Sequence, residues 1–238
     1  MMYANKLCHQ AICVQTLLMK DSLFDLQYKI AADYDFLLKL YMENYIFRYV
    51  GNHAIAYFRL SGISSLNTFD KVNEQCDIAT KRLLHNKKIH GNKQVYLKIK
   101  NKIENHRLYG IFQGICRDYK QKKCHINCAD LFTNTDYIVF GAGVVGRQLK
   151  WLLETLGVNV KCFIDNNQDL LFTNIDGASV VNLHNIDFIK GSIVLISSYE
   201  NSDEMAESLN DLGLKEDRDY YKFETWVKLM RERVIYGE

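Results

Sequence analysis

Residues 129–238 carry their apolar residues in two alternating patterns. Three short, largely apolar runs predict buried strands, and they occupy residues 137–140, 158–164 and 192–198. The segments after the first and third runs show helical spacing and end at Gly157 and Gly213, which predicts helices over 147–156 and 202–212. Because strand and helix alternate, we expect an α/β domain with a parallel sheet and right-handed crossovers.

The clearest pattern in residues 1–80 lies at 33–41, where four apolar residues share one helical face. It predicts an amphipathic helix with Asp33 at or near its N-cap. Asp35 and Lys39 stand at the i and i+4 positions of this helix, which is an ion-pair spacing. Two strand-like runs follow at 46–50 and 53–59.

Charge divides the chain into three parts. Residues 1–80 carry 7 Lys/Arg and 8 Asp/Glu, residues 81–124 carry 13 and 2, and residues 125–238 carry 10 and 18. We therefore predict a first domain at 1–80, a basic helical linker at 81–128 and a C-terminal domain at 129–238. The linker has helically spaced apolar residues, with breaks expected at Gly91 and Gly110.

Two interpretations of the basic segment remain. It is either a pair of linker helices with solvated lysines, or a surface that attracts anionic lipid headgroups or an acidic lipid-linked acceptor. Nucleic acid is not expected as a partner, because no known reader motif accompanies the charge.

The composition is that of a globular protein. The 238 residues are 48% hydrophobic and 24% charged with a net charge of +2, which excludes disordered, collagenous and coiled-coil classes. The sequence shows neither a membrane-spanning apolar stretch nor the apolar core of a signal peptide. We expect a cytoplasmic protein, with peripheral contact at the inner membrane face as the alternative. The seven scattered cysteines are expected to be reduced thiols.

A glycine-rich loop joins the first predicted strand of residues 129–238 to the helix that follows. It contains Gly141, Gly143 and Gly146, and the next predicted strand ends at Asp165. Glycines at this spacing permit a tight turn and let the backbone approach a pyrophosphate, while the acid accepts from a ribose hydroxyl. These four residues are the candidate nucleotide-binding site.

Residues 136–224 resemble the Rossmann-like domains of many bacterial sugar-processing proteins, through the run GAGVVGRQLKWLLETLGVNVKCFIDNN and the later SIVLISS. The resemblance implies either a bound nucleotide or nucleotide sugar, or a scaffold that has lost its ligand. A dehydrogenase of the short-chain type is not expected. Its Tyr-x-x-x-Lys pair follows the glycine loop, whereas Tyr96/Lys100 and Tyr119/Lys123 precede it.

The first domain carries an ordered set of further motifs: His9-Gln10, residues 23–25, the run KIAADYD at 29–35, LLK at 37–39 and RLSGISS at 59–65. Together they resemble the second half of a GT-A catalytic domain of family 2 glycosyltransferases, of the type that builds O-antigens and capsules. The fold expected for the whole chain is thus α/β: a partial GT-A remnant, a helical linker and a Rossmann-like parallel-sheet domain.

The glycosyltransferase resemblance implies specific roles. Asp33 would be the general base that deprotonates the acceptor hydroxyl, with inversion at the sugar carbon, and Ala32 stands where Glu is common. His9, Gln10, Asp35 and Lys39 would contact the acceptor or the diphosphate. From spacing alone, Asp33 is equally a helix cap and Asp35 a solvated partner of Lys39.

Family 2 enzymes hold the donor in an N-terminal half that ends in a metal-binding Asp-x-Asp. Asp33-Tyr34-Asp35 opens a helix instead, so we expect that donor half to be missing and this chain to be inactive alone. The parent reaction would transfer a sugar from a nucleotide sugar to a lipid-linked or polysaccharide acceptor, with Mg²⁺ or Mn²⁺. The alternative is a non-catalytic nucleotide or nucleotide-sugar binding module.

No metal site is predicted within this chain. The sequence between Cys124 and Cys128 contains one histidine, and these residues supply too few ligands for a closed zinc site.

Overall fold

The computed structural model describes residues 9–51, 68–127, 136–184, 189 and 191–237. The fold is of mixed α/β type, and the chain divides into two compact units, Met1–Gly110 and Ile111–Glu238.

The secondary structure described in the first unit is helical. A 3-10 turn at His9–Ala11 precedes α1 (Thr16–Asp21), α2 (Ala32–Met42), α3 (Thr68–Ala79), a π-helical turn (Thr80–Leu84), α4 (Lys87–His90) and α5 (Lys93–Lys120), which continues into the second unit. The predicted helix at 33–41 is confirmed as α2. The prediction of a strand at 46–50 is wrong, since these residues form no regular element, and the run at 53–59 lies outside the described residues.

One apolar cluster joins the helices of the first unit. It contains Tyr34 and Leu38 from α2, Val72 and Cys76 from α3, and Ile99 and Ile103 from α5, all at most 4% exposed. The buried apolar residues of the basic segment as far as Ile103 therefore pack with α2 and α3. Lys98 and Lys100 of α5 are exposed, as the helical period predicts.

Gly110 does not break a helix, contrary to the prediction. It lies inside α5, and a Cβ at this position would come within 2.7 Å of a Val72 methyl carbon. Glycine is required here because α3 approaches the backbone of α5 closely. Gly91 does follow a helix, as the C-cap of α4.

The second unit contains a six-stranded sheet in the order β4-β5-β3-β2-β6-β7. Its strands are β2 (Asp136–Phe140), β3 (Val160–Ile164), β4 (Asn174–Ile175), β5 (Ala178–Val181), β6 (Ser192–Ile196) and β7 (Tyr220–Tyr221). All neighbouring pairs are parallel except β4 with β5. The predicted parallel sheet is confirmed, while the β4–β5 hairpin, with its Asp176-Gly177 turn at positive φ, was missed.

The helices that the structure describes in full after β2 are α6 (Val144–Thr155), α7 (Ser202–Asp211) and α8 (Phe223–Arg231). A separate antiparallel pair consists of β1 (Cys124–Ile126) and β8 (Val234–Tyr236). The predicted helices at 147–156 and 202–212 correspond to α6 and α7, and Gly157 and Gly213 end them at φ +81° and +80°. The Trp226 indole donates to Ile196 O at 2.7 Å, which ties α8 to the end of β6.

Candidate functional site

A crevice of about 390 Å³ lies at the carboxyl ends of the central strands of the second unit. The chain runs from β2 to β3 and β5 on one side, then returns to β6 on the other side of β2. Ligands of open α/β sheets bind at such a reversal of strand order. The lining of the crevice includes Gly141, Asp165, Ser198, Asn201 and Glu204.

Two glycines of the loop are required by the fold itself. Gly141 has φ +105°, and a Cβ there would lie 2.5 Å from Ser197 Oγ. A Cβ on Gly146 would lie 1.8 Å from Gly141 O, a separation that no packed atoms can adopt. The predicted tight turn and close strand-to-helix approach are therefore both present.

Gly143 differs from both. It is the exposed N-cap of α6 with an ordinary φ of −72°, and a Cβ there would meet no atom within 4 Å. Packing therefore does not exclude a side chain at this position, although glycine is a favoured N-cap residue. The space above Gly143 is accessible to a ligand. It lies beside the N–H groups of the first turn of α6, which come before the first hydrogen bond of this helix, from Arg147 N to Gly143 O.

Asp165 braces the glycine loop. Its Oδ2 accepts from Ala142 N at 2.7 Å and its Oδ1 accepts from Asn167 N at 2.8 Å. The sequence predicted a ribose contact and missed this structural role. Because each carboxylate oxygen has two acceptor positions, Asp165 retains capacity for a ligand hydroxyl.

The far wall of the crevice was not predicted. Ser197 Oγ donates to Phe140 O at 2.8 Å, so it joins the ends of β6 and β2, and Ser198, Asn201 and Glu204 follow in the loop and in α7. The signal available in the sequence is their position directly after the apolar run of β6. Residues after parallel strands are the usual source of ligand contacts.

The crevice presents oxygen acceptors rather than cations. Asp165 and Glu204 line it, while the cation nearest the loop in sequence, Arg147, pairs with Asp176 at 2.7 Å. This hydrogen bond raises the pKa of Arg147 and lowers the pKa of Asp176. The buried Lys150 donates to Glu154 and to Asp176 O. Acceptors of this kind suit the hydroxyls of a ribose or sugar, which leaves the α6 amides to meet a phosphate.

Asp33 in the first unit is the second residue of α2, two residues after the N-cap Ala31, and it is half-buried. Its predicted place near the helix start is confirmed. Its Oδ1 accepts from Tyr34 N at 2.8 Å.

Asp35 is not a solvated partner of Lys39. It is 3% exposed and receives two hydrogen bonds from Arg82, at 2.5 and 2.6 Å. Lys39 instead donates to Ser22 Oγ at 3.3 Å. The prediction is wrong because helical spacing carries no information on residues that are distant along the chain. Tertiary packing brings the Arg82 guanidinium from the π-helical turn to Asp35, and burial favours this bidentate contact.

Glu74 fixes the backbone that leads into α2. Its carboxylate accepts from Lys29 N, Ile30 N and Ala31 N at 3.1, 2.8 and 2.8 Å. The sequence gave no sign of this contact, since Glu74 lies on α3, far from α2 along the chain.

The remaining predicted residues are less informative. Gln10 is exposed in the turn His9–Ala11, whereas the side chain of His9 and the run at 59–65 lie outside the described residues. Cys124 is buried in β1, and Cys128 lies outside the described residues. Within the described ranges, His, Cys, Asp and Glu form no cluster of three or more suited to a metal ion. The helices in those ranges also include none with the length and apolar content needed to cross a bilayer.

Comparison with known families finds a match in the C-terminal part of the chain. Residues 133–219 match the family described as C2185-like, N-terminal. Among solved structures, the UDP-D-quinovosamine 4-dehydrogenase of Vibrio fischeri is 23% identical over 35% of this chain and 75% of that chain, with a TM-score of 0.31. No curated protein matches the chain. The family match does not extend to residues 9–80, so the glycosyltransferase resemblance there stays a prediction.

Proposed function

We propose that the second unit binds a nucleotide or nucleotide sugar in the crevice between Gly141 and Glu204. The observation that carries this proposal is the crevice itself, which lies at the reversal of strand order and includes Gly141 of the glycine loop in its lining. Two residues further on, the exposed Gly143 leaves the start of α6 open. In its cellular role, the chain would bind nucleotide sugars that are used in cell-surface glycan synthesis.

The binding mode follows from the groups that line the crevice. The first-turn amides of α6 would donate to the phosphates, aided by the positive end of the helix dipole. Asp165 and Glu204 would accept from ribose or sugar hydroxyls, with Asn201 as a further polar contact. A crevice of this volume lies within the range of small-molecule sites.

Thermal unfolding with millimolar UDP-sugars, GDP-sugars and NAD tests this proposal. A nucleotide sugar should raise the melting temperature, since a ligand at about 100 times its Kd adds about 2.7 kcal/mol. Gly143→Ala should lower the unliganded melting temperature only slightly, because alanine is a poorer N-cap than glycine. It should weaken binding roughly tenfold or more, because the methyl group occupies ligand space.

Gly237→Ala is the matched control, since its Cβ also meets no atom within 4 Å and Gly237 lies in the β1–β8 region. It should keep both stability and ligand response. If none of the three ligand classes shifts the unfolding, the second unit is a scaffold and the proposal fails.

A second candidate function rests on Asp33. We propose that the first unit is the acceptor side of a glycosyltransferase, with Asp33 as general base in transfer from a nucleotide sugar to a lipid-linked or polysaccharide acceptor. The supporting observation is a division of labour among three carboxylates near the start of α2. Asp35 bonds Arg82 and Glu74 bonds three backbone amides, and these contacts hold the turn that carries Asp33.

A carboxylate that acts as a general base must be held within hydrogen-bond distance of the acceptor hydroxyl, so this chemistry requires a fixed first turn of α2. The test is sugar transfer by the chain with a GT-A donor half supplied in trans. Activity should appear only with the donor half and should fall at least about a hundredfold in Asp33→Asn. Asp21→Asn, an exposed acid on α1, is the control. Activity that survives Asp33→Asn would exclude this role.

A further inference from the structure

A second, larger cavity of about 790 Å³ lies in the first unit, at the end of α2 remote from Asp33. One wall comes from the end of α2 and the residues just after it, and the other from the residues that follow the π-helical turn and from α4. The lining of this cavity includes Tyr41, Tyr45, His85, Lys87 and Lys88. We call this feature the basic cavity.

The walls of the basic cavity are held in place by the core. Leu83 and Leu84, directly before His85, are buried, and Arg82 is clamped to Asp35 on α2. On the opposite wall, Asn44 adopts φ +64° and Tyr45 N bonds Leu40 O at 3.0 Å, so the chain leaves α2 in a fixed direction. Both walls are therefore anchored to α2.

The charge of the basic cavity has one sign. Lys87 and Lys88 supply two ammonium groups and His85 an imidazole, whereas no acidic side chain is among the lining residues. Glu43 is the C-cap of α2 and lies in the same turn, but it does not line the cavity. An anion that brings several oxygen acceptors, such as a phosphate group, is the ligand that this arrangement favours.

An exposed apolar segment leaves the cavity at Tyr45. Its members Ile46, Tyr49 and Val50 are 79%, 83% and 96% exposed, and Arg48 among them is also exposed. Aromatic and aliphatic side chains mixed with basic residues are typical of protein surfaces that enter the headgroup region of a membrane.

We propose that the basic cavity binds the phosphate group of an anionic lipid, with Lys87 and Lys88 as its ligands and residues 45–50 against the apolar part. The proposal is independent of the nucleotide site, because it uses only residues of the first unit. A soluble phosphate has the same headgroup chemistry, so the test separates the two sources.

The full chain is sedimented with vesicles of phosphatidylcholine, alone and mixed with phosphatidylglycerol, and is titrated separately with inorganic pyrophosphate. Each basic residue near an anionic surface is worth about a fivefold change in affinity. Lys87→Gln with Lys88→Gln should therefore weaken binding to the mixed vesicles roughly 25-fold, and should weaken pyrophosphate binding as well.

Lys98→Gln with Lys100→Gln is the matched control, since both lysines are exposed on α5 and the loss of charge is the same. This pair should change vesicle binding by about fivefold or less. Equal losses in the two double variants would show attraction by net charge alone and overturn the site.

The lipid source is tested by Ile46→Ser with Tyr49→Ser. This variant should bind vesicles more weakly while its pyrophosphate affinity is unchanged. If vesicle binding is absent in the parent chain, or is unaffected by these two substitutions, the lipid assignment is wrong.

Discussion

The two units of this chain position their candidate sites by different means. In Ile111–Glu238 the central strands are almost wholly buried, and close contacts such as that of Gly146 with Gly141 join sheet and helix. In Met1–Gly110 many large apolar side chains between residues 17 and 50 stay exposed, and two polar clamps, Asp35–Arg82 and Glu74 with 29–31, fix α2. Close packing of sheet and helix therefore positions the crevice, whereas the hydrogen bonds of the Asp35 and Glu74 carboxylates position Asp33.

The largest expected effect is that of Gly146→Ala. Its Cβ would lie 1.8 Å from a backbone oxygen that cannot move without breaking the β2–α6 turn. We expect a loss of roughly 4 kcal/mol or more in the free energy of unfolding. Hydrogen exchange should show faster exchange in β2, β3 and β6, with α2 unaffected. Equal stability of this variant and Gly143→Ala would contradict the packing argument.

The next effect concerns the clamp of the first unit. Asp35→Asn leaves Arg82 partly buried without a charged partner, and we expect a loss of about 3 kcal/mol in urea unfolding. Asp77→Asn breaks the exposed pair with Arg107 and should cost less than about 1 kcal/mol. The double change Asp35→Leu with Arg82→Met should recover much of the loss, because it removes both charges. Failure to recover would mean that the pair is not the clamp.

An alkaline titration gives a smaller effect in the same unit. Burial raises the pKa of the Cys76 thiol to about 12, so the folded state disfavours the thiolate that the unfolded chain forms more readily. Stability from this thiol is complete below its usual pKa and declines as pH rises toward 12. Between neutral pH and about pH 10.5, we expect the free energy of unfolding to decrease by up to about 2 kcal/mol more in the parent chain than in Cys76→Ala. Parallel pH dependence in both proteins would refute the assignment.

The smallest predicted change is that of Asp165→Asn. The amide retains one acceptor, so one of the two backbone bonds is lost, at about 1 kcal/mol. Nucleotide-sugar affinity should also fall if the same carboxylate meets a ribose hydroxyl. Asp169→Asn, on the exposed turn that follows, is the control for stability and binding. Lower stability without any change in affinity would restrict Asp165 to its bracing role.

Much of the second unit was predictable, because its elements have local signals. Largely apolar runs marked β2, β3 and β6, and glycines marked the loop and the ends of α6 and α7. The short strands β4, β5 and β7 were missed, since strands of two to four residues give too few positions for a period to show. The crevice wall at Ser198 and Glu204 was missed because it depends on strand order, which fixes that β6 lies beside β2.

The sequence by itself determined the alternation of strand and helix, the glycine turn after β2 and the helix that begins near Asp33. These features follow from periodicity and backbone conformational limits, which act within a few residues. Only the tertiary structure decided that Asp35 bonds Arg82, that Glu74 holds the entry to α2, that Asp165 braces the loop and that Gly110 lies within a helix. Each depends on which distant residue packing brings within hydrogen-bond or van der Waals distance, and spacing along the chain carries no record of that choice.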